Sequence, residues 1–549
     1  MMTAQATSPS LSIDEAMDRI GYGPFQRKIL LAAGLCSASD AMEILILRFL
    51  SAAVQAEWNL TSTQASTLLS SVFVGAFVGT LTLGRLGDLY GRRGTFVITA
   101  GIVATFGLLS AACPSYPYLL LARTLVGVGI GGVTVPFDTY AECLPKDCRG
   151  TGLVAPSYFW TTGTILVIVG ARVTVQNWRW LCLWCAIPCL VATMVGYMVV
   201  PESPHWLVAH HKTTLHAFNT EESSPKQEQA LTILRRAAEQ NGKDPDAILP
   251  LNTRLVATTT PSHADSLEDQ DEVSQSTASS SSSTGDLFAP MRRRFTISIL
   301  LVWFGYSLLY YGTILITTQV FSKSNQDHTN GIQFDYAAIL FASLAELAGA
   351  TFMSFTIDRW GRRTIHALSF GMGGMFVLGL CWLPSTTVSR SWTMALAFVT
   401  RFWVFCGSSV TWIWTAEVME TQHRTTGHSV ANAAGRMGGF LAPYLISPTT
   451  IRSMGWILWL TSWLLVGIAW SFLPETSGRP LGDHNTTIST MDHHDHPFPD
   501  DSLELRPERL TRTKKEYRAI ASSSASSSHA FVDDDDEEGE GSEEERIIT

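Results

Sequence analysis

Residues Leu86–Gly94 read LGDLYGRRG and residues Thr356–Thr364 read TIDRWGRRT. Both stretches lie between long apolar runs, and both hold Asp, Gly and paired Arg at one spacing, 270 residues apart. Two further pairs extend the pattern. AECLPKDCRGTG at 141–152 answers AEVMETQHRTTG at 416–427 with an offset of 275, and PESP at 201 answers PETS at 474. Three pairs at nearly one offset predict a chain of two related halves.

The 549 residues are 46% hydrophobic and only 16% charged. The apolar residues gather in blocks of the ~20 residues that a helix needs to cross a bilayer. The blocks predict an all-α integral membrane protein of twelve transmembrane helices in two six-helix pseudo-repeats. The predicted organisation is an N-terminal segment 1–27, a bundle 28–200, a loop 201–294, a second bundle 295–473 and an acidic tail 474–549. QEQALTILRRAAEQNGK in the loop has helical periodicity and is expected against one face of the bundle, whereas STASSSSSTG is low-complexity. The first 25 residues are polar, with Asp14, Glu15 and Asp18 where a signal peptide carries basic residues. The first helix is therefore expected to target the chain to a membrane, with lipid around the bundle.

Lys and Arg favour the loops after the even-numbered helices, among them Arg92, Arg93, Arg149, Arg362, Arg363 and Arg424. The positive-inside rule then makes those loops and both termini cytosolic and leaves the sequon at Asn59 outside, open to glycosylation. A second sequon at Asn485 would be cytosolic and silent. The host membrane is expected to be the plasma membrane or an endomembrane vesicle. The tail ends in EEERII at 543–548, which resembles an acidic dileucine signal for trafficking adaptors.

Several features point away from other functions. No basic face is concentrated enough for nucleic acid, and no phosphate-binding loop, nucleophile elbow or metal-ligand cluster is present, so neither an enzyme nor a cofactor is expected. DHHDH at 492–496 reads as a solvated tail. Cys182, Cys185 and Cys189 read as buried apolar thiols within an apolar helix. GVGIGG at 127–132 lacks the preceding strand of a dinucleotide site and reads as close helix packing.

Charges inside the predicted spans are the strongest functional signal, because each costs at least ~2.5–3.5 kcal/mol at the bilayer centre. They are Asp40 and Glu43 in the first helix, Arg123 in the fourth, Glu346 in the eighth, Arg401 in the tenth and Arg436 in the eleventh. Asp40 and Arg123 lie at depths within reach of one another. Glu43, Glu346, Arg401 and Arg436 are candidates to meet a charged substrate, and Trp303, Tyr310 and Tyr311 of the seventh helix to line its cavity. In the loops, Asp88 with Arg92 and Arg93, Glu142 with Arg149, Asp358 with Arg362 and Arg363, and Glu417 with Arg424 offer carboxylate–guanidinium pairs for gating. The plainer reading of those arginines is topology alone.

This motif set resembles the major facilitator superfamily. GRLGDLYGRR matches its loop signature, RTLVGVGIGG its fourth-helix signature, and PESPHWL and PETSG the endings of its two halves, with His205 and Ser477 as departures. SDAMEILIL and VWFGYSLLYYGTILITTQVF resemble the branch of synaptic-vesicle-protein-2-related proteins, nicotinate permeases and organic ion transporters. The resemblance implies a secondary active transporter that moves a small organic ion by alternating access, coupled to protons. It aligns Asp40 and Arg123 with the protonation-sensitive pair of proton-coupled sugar porters, and Glu43, on the same helix face as Asp40, is the further candidate for proton coupling. A non-transporting vesicle receptor or scaffold on the same fold is the alternative.

Overall fold

The computed structural model describes residues 10–174, 177–208, 225–250, 253–256, 293–323, 333–382, 389–418, 424–445, 451–472 and 474–476. The Ser-rich stretch of the loop, the tail beyond 476 with its sequon and sorting motif, and the Arg424 side chain lie outside the described residues.

Spans 1–6 are Pro24–Trp58, Ser62–Tyr90, Arg92–Ala111, Tyr116–Glu142, Lys146–Val173 and Trp178–Val199. Spans 7–10 are Arg293–Val320, Tyr336–Trp360, Arg362–Trp382 and Arg390–Val418, and span 12 is Ile451–Phe472. These eleven are long and apolar enough to cross a membrane. Span 11, Arg424–Leu445, is the least apolar of the twelve because it carries His428, Asn432 and Arg436 on buried positions. Span 4 breaks at Gly132 and Val133 into Tyr116–Gly131 and Thr134–Glu142.

The halves meet along two seams, span 2 with span 11 and span 5 with span 8, which exchange under the internal repeat. We call the side bearing 86–94 and 356–364 the motif face. Asn59 is exposed on the opposite face, where it ends span 1 in the left-handed conformation (φ 51°).

The glycines of GVGIGG permit backbone-to-backbone contact. A Cβ on Gly127 would lie 2.1 Å from the Val72 carbonyl oxygen, and one on Gly75 would lie 1.8 Å from that of Thr124. Spans 2 and 4 thus approach as small-residue helices do in membranes.

The N-terminal segment is more structured than its polarity suggests. Ile13, Ala16, Met17 and Ile20 bury one face of helix Ile13–Ile20, whose N-cap hydroxyl, Ser12 Oγ, accepts the Glu15 N–H at 3.1 Å. Ser10–Ser12 pairs in parallel with Arg254–Val256 from the central loop. Asn241, just past helix Pro225–Gln240, accepts the Phe25 N–H at 3.0 Å and donates to the Gly21 carbonyl and Gln26 Oε1 at 2.9 Å. Segment and loop together form a cap on the first half.

Gly75→Ala should break the contact between spans 2 and 4. Overpacking of this kind costs about 1–3 kcal/mol or more, so thermal unfolding of purified protein should show a lowered midpoint. Gly467→Ala, where a Cβ meets nothing within 4 Å, should leave the midpoint unchanged.

Candidate functional site

A cavity of about 90 Å³ lies between the halves, walled by spans 1, 4, 5, 7, 10 and 11. Two local breaks help to open it: the interruption of span 4 beside Val133, and Pro156 inside span 5. The wall is largely aromatic, with Phe137, Trp160, Tyr306, Tyr310, Tyr311 and Trp412, and it carries two charged residues, Asp40 and Arg436. Asp40 is 1% exposed, and neither carboxylate oxygen has a hydrogen-bond partner among the described residues. Arg436 is the cation whose charge acts most strongly on it, yet no direct ion pair joins them among the described residues. Arg436 Nη1 instead donates to the Tyr311 hydroxyl at 3.5 Å.

The expected pairing of Asp40 with Arg123 does not form. Arg123 Nη1 meets Glu43 Oε2 at 2.7 Å, Nη2 donates to the Glu43 carbonyl at 2.7 Å, and both side chains are fully buried. Glu43 sits about 4.5 Å further along the helix axis than Asp40, is one methylene longer, and finds room beside Gly107. A Cβ on that glycine would lie 2.9 Å from Glu43 Oε1. Asp40 is left facing the cavity.

Trp303, Glu346 and Arg401 stand behind the cavity wall rather than on it. Trp303 Nε1 donates to Thr415 Oγ1 at 2.8 Å, and its ring packs on Trp412. Glu346 and Arg401 form a buried ion pair. Glu346 also accepts from the Tyr310 hydroxyl at 3.2 Å and from Thr164 Oγ1 at 3.3 Å, and the Tyr310 oxygen accepts from Trp160 Nε1 at 2.7 Å. Trp160 and Thr164 belong to span 5, so this network crosses the seam and touches the cavity only through Tyr310 and Trp160.

On the motif face the two copies repeat bond for bond. Arg92 pairs with Asp88 at 2.9 Å and Glu142 at 3.4 Å, and Arg362 pairs with Asp358 at 3.0 Å and Glu417 at 2.6 Å. Ser203 donates to Glu142 and Thr476 to Glu417, each at 2.6 Å. Glu202 accepts the Arg92 N–H at 2.6 Å and Glu475 accepts the Arg362 N–H at 2.8 Å, each carboxylate capping the positive end of a helix. Gly91 and Gly361 are needed twice. Their φ values are 104° and 79°, and a Cβ would come within 2.5 and 2.7 Å of those carboxylates.

Each motif aspartate also crosses to the other half. Thr426 donates to Asp88 Oδ2 at 2.6 Å, and Thr151 donates to Asp358 Oδ2 at 2.9 Å. Arg149, expected opposite Glu142, instead reaches Asp14 at 3.4 Å and the Leu144 carbonyl at 3.1 Å, because the capping segment brings Asp14 to it. Arg93 donates to the Tyr197 carbonyl at 3.0 Å, and Arg363 lies over the Trp470 ring, so both stay within their own halves. The carboxylates of Glu202 and Glu475 escaped the charge-based reading, although the repeated PES and PET were their signal.

The halves also touch on the opposite face. Ser70 donates to the Phe440 carbonyl at 3.0 Å, and Phe49 packs on Phe334 and Tyr336. Contacts between the halves therefore lie on both sides of the cavity.

Two six-helix halves, repeated motif loops and a cavity between them define a multi-pass membrane protein of the major facilitator class. Residues 34–487 match the sugar (and other) transporter family, and the chain belongs to that family. It is 31% identical to organic cation/carnitine transporter 7 of Arabidopsis thaliana, over 86% of this chain and 96% of that protein. It is 30% identical to the synaptic vesicle 2-related protein of Bos taurus, over 87% of this chain and 83% of that protein. Among solved structures it resembles the proton:xylose symporter XylE bound to 6-bromo-6-deoxy-D-glucose. That match has a TM-score of 0.61 at 19% identity and covers 85% of this chain and 99% of that one. At that identity the likeness concerns the fold.

Glu346→Gln would leave the Arg401 guanidinium buried without its countercharge, and breaking such a pair costs about 3–5 kcal/mol. Thermal unfolding should show a large loss, partly restored in Glu346→Gln/Arg401→Met. Tyr310→Phe, which removes a neutral hydroxyl and with it the acceptor of the Trp160 indole N–H but leaves the ion pair intact, should cost less.

Proposed function

We propose that the chain is a secondary active transporter that moves a small organic ion through the Asp40 cavity by alternating access coupled to protons. The observation that carries this reading is Asp40 itself: a buried carboxylate on the wall of an aromatic cavity, with no donor to either oxygen among the described residues. A buried carboxylate without a partner is costly, so it is met by a proton or by a cation. The faces of Trp160, Tyr310 and Trp412 suit a cationic group. Arg436 offers a second pole for a substrate that also bears a carboxylate. The name of the Arabidopsis relative, an organic cation/carnitine transporter, supports that substrate class.

The Lys and Arg distribution supports a cytosolic motif face, with Asn59 outside and open to glycosylation. On this reading the Asp88–Thr426 and Asp358–Thr151 bonds hold the cytosolic side shut, and they part when the cavity opens inward. The arginines Arg92 and Arg362 keep each aspartate in place while its bond across the seam changes.

Uptake into reconstituted vesicles with an imposed pH gradient tests the reading, with carnitine, tetraethylammonium, nicotinate and xylose as probes. The parent protein should accumulate a cationic or zwitterionic probe. Asp40→Asn should lose accumulation against the gradient while still equilibrating that probe at weaker affinity. Accumulation by Asp40→Asn equal to the parent would move the coupling role away from Asp40, and accumulation of xylose alone would overturn the substrate class.

A further inference from the structure

His428 on span 11 and Asp138 on span 4 form a further buried acid–base pair, which the charge-based reading of the spans missed. Nδ1 lies 2.9 Å from Oδ1, and both side chains are completely buried. His428 Nε2 and Asp138 Oδ2 have no hydrogen-bond partner among the described residues. The two residues are 290 positions apart and belong to different halves. Around them the same seam is tied by Thr134–Ser429 at 3.2 Å and Asp88–Thr426 at 2.6 Å. Neither of those bonds holds an imidazole, the side chain whose ordinary titration range spans neutrality.

The repeat makes this pair unusual. Shifted by the offset of 275, Asp138 corresponds to Ile413 and His428 to Leu153, both apolar and both on the cavity wall. Closing the motif face symmetrically therefore requires no acid–base pair at these positions. The pair also adjoins the cavity. Phe137 and Trp412, which line it, pack against the imidazole with ring centroids at 5.8 and 5.1 Å, and Trp303 packs at 5.4 Å.

We propose that His428 and Asp138 form a proton-binding site built across the seam, whose occupancy favours closure of the motif face. This rests on the reading that the halves part during transport. With the proton bound, imidazolium faces carboxylate and the seam is held by a charge-assisted bond. Without it, either a neutral imidazole faces a buried carboxylate charge or a ring lone pair faces an oxygen lone pair, and both are weaker. The closed seam therefore holds the proton more tightly than the parted seam, so falling pH favours closure and rising pH favours opening. When the halves part, His428 meets water on the motif face and its proton leaves to that water. The other charges facing the pair are Arg92 on span 3 and Asp88 on span 2, which are already joined to one another. Glu142 on span 4 is held by Arg92, and Glu417 on span 10 by Arg362. From span 7 the nearby ionisable group is Tyr306, whose hydroxyl accepts from Trp412.

Hydrogen–deuterium exchange of the full chain in lipid nanodiscs reads the seam without any substrate. Peptides covering 134–142 and 426–436, corrected for intrinsic exchange, should lose protection about ten-fold between about pH 5.5 and about pH 8. His428→Asn and Asp138→Asn should flatten this slope to less than about two-fold. His366→Gln should keep it, since His366 is a buried histidine of span 9 with neither ring nitrogen bonded among the described residues. Protection independent of pH in the parent would overturn the proposal without reference to any variant. So would a slope that survives in His428→Asn or vanishes in His366→Gln. A seam that titrates as expected in a protein that moves none of the four probes would uphold the proton site and reject the transport reading instead.

Discussion

Two aspartates are shared between the halves, and the rest of the motif face is organised around them. Asp88 gives one oxygen to Arg92 of its own half and the other to Thr426 of the second half. Asp358 gives one to Arg362 and the other to Thr151. A carboxylate can accept at both oxygens at once, so one residue type fixes a helix end within its half and joins that half to its counterpart. Around each, a second carboxylate, a hydroxyl and a helix-capping glutamate recur with the same roles. The duplication is thus visible at the level of single hydrogen bonds, which answers why LGDLYGRRG and TIDRWGRRT occur twice.

Inside the bundle the dominant constraint is the cost of burying charge. Arg123 is neutralised by Glu43, and Arg401 by Glu346, each within a well-packed layer of helices. These pairs consume charges that the sequence offers as equal candidates for substrate contact. Among the described residues, the charges that remain on the aromatic cavity wall are Asp40 and Arg436. The pairing of the other charges is what singles these two out. A further buried carboxylate, Asp138, is met by a histidine rather than an arginine.

The cap formed by residues 10–20 with 225–256 illustrates how context changes a local reading. IDEAMDRI is too short and too acidic to announce itself as structured, yet its four apolar residues find a surface in the loop helix and its Asp14 finds Arg149. An acid that looked like ordinary N-terminal polarity thereby displaces the expected Glu142 partner of that arginine. Arg48 marks a similar blind spot in span 1. Its charge lies close to the end of the apolar run, and it sits in a smaller apolar pocket with Phe73, Tyr311 and Gly439.

The amino-acid sequence by itself determined the twelve spans, the two halves, the motif loops and the small-residue packing of GVGIGG. Each follows from one-dimensional information: the length of an apolar run, the recurrence of a spacing, or the absence of a side chain. Tertiary structure decided which charge meets which. Asp40 and Glu43 are three residues apart and chemically alike, and only the depth and rotation of span 1 against spans 3 and 4 send one to Arg123 and the other to the cavity. The His428–Asp138 contact joins residues 290 positions apart on helices whose neighbours are set by the closing of the two halves. Spacing along a chain carries no record of such a meeting, because the partner of a long side chain depends on helix packing rather than on its own sequence.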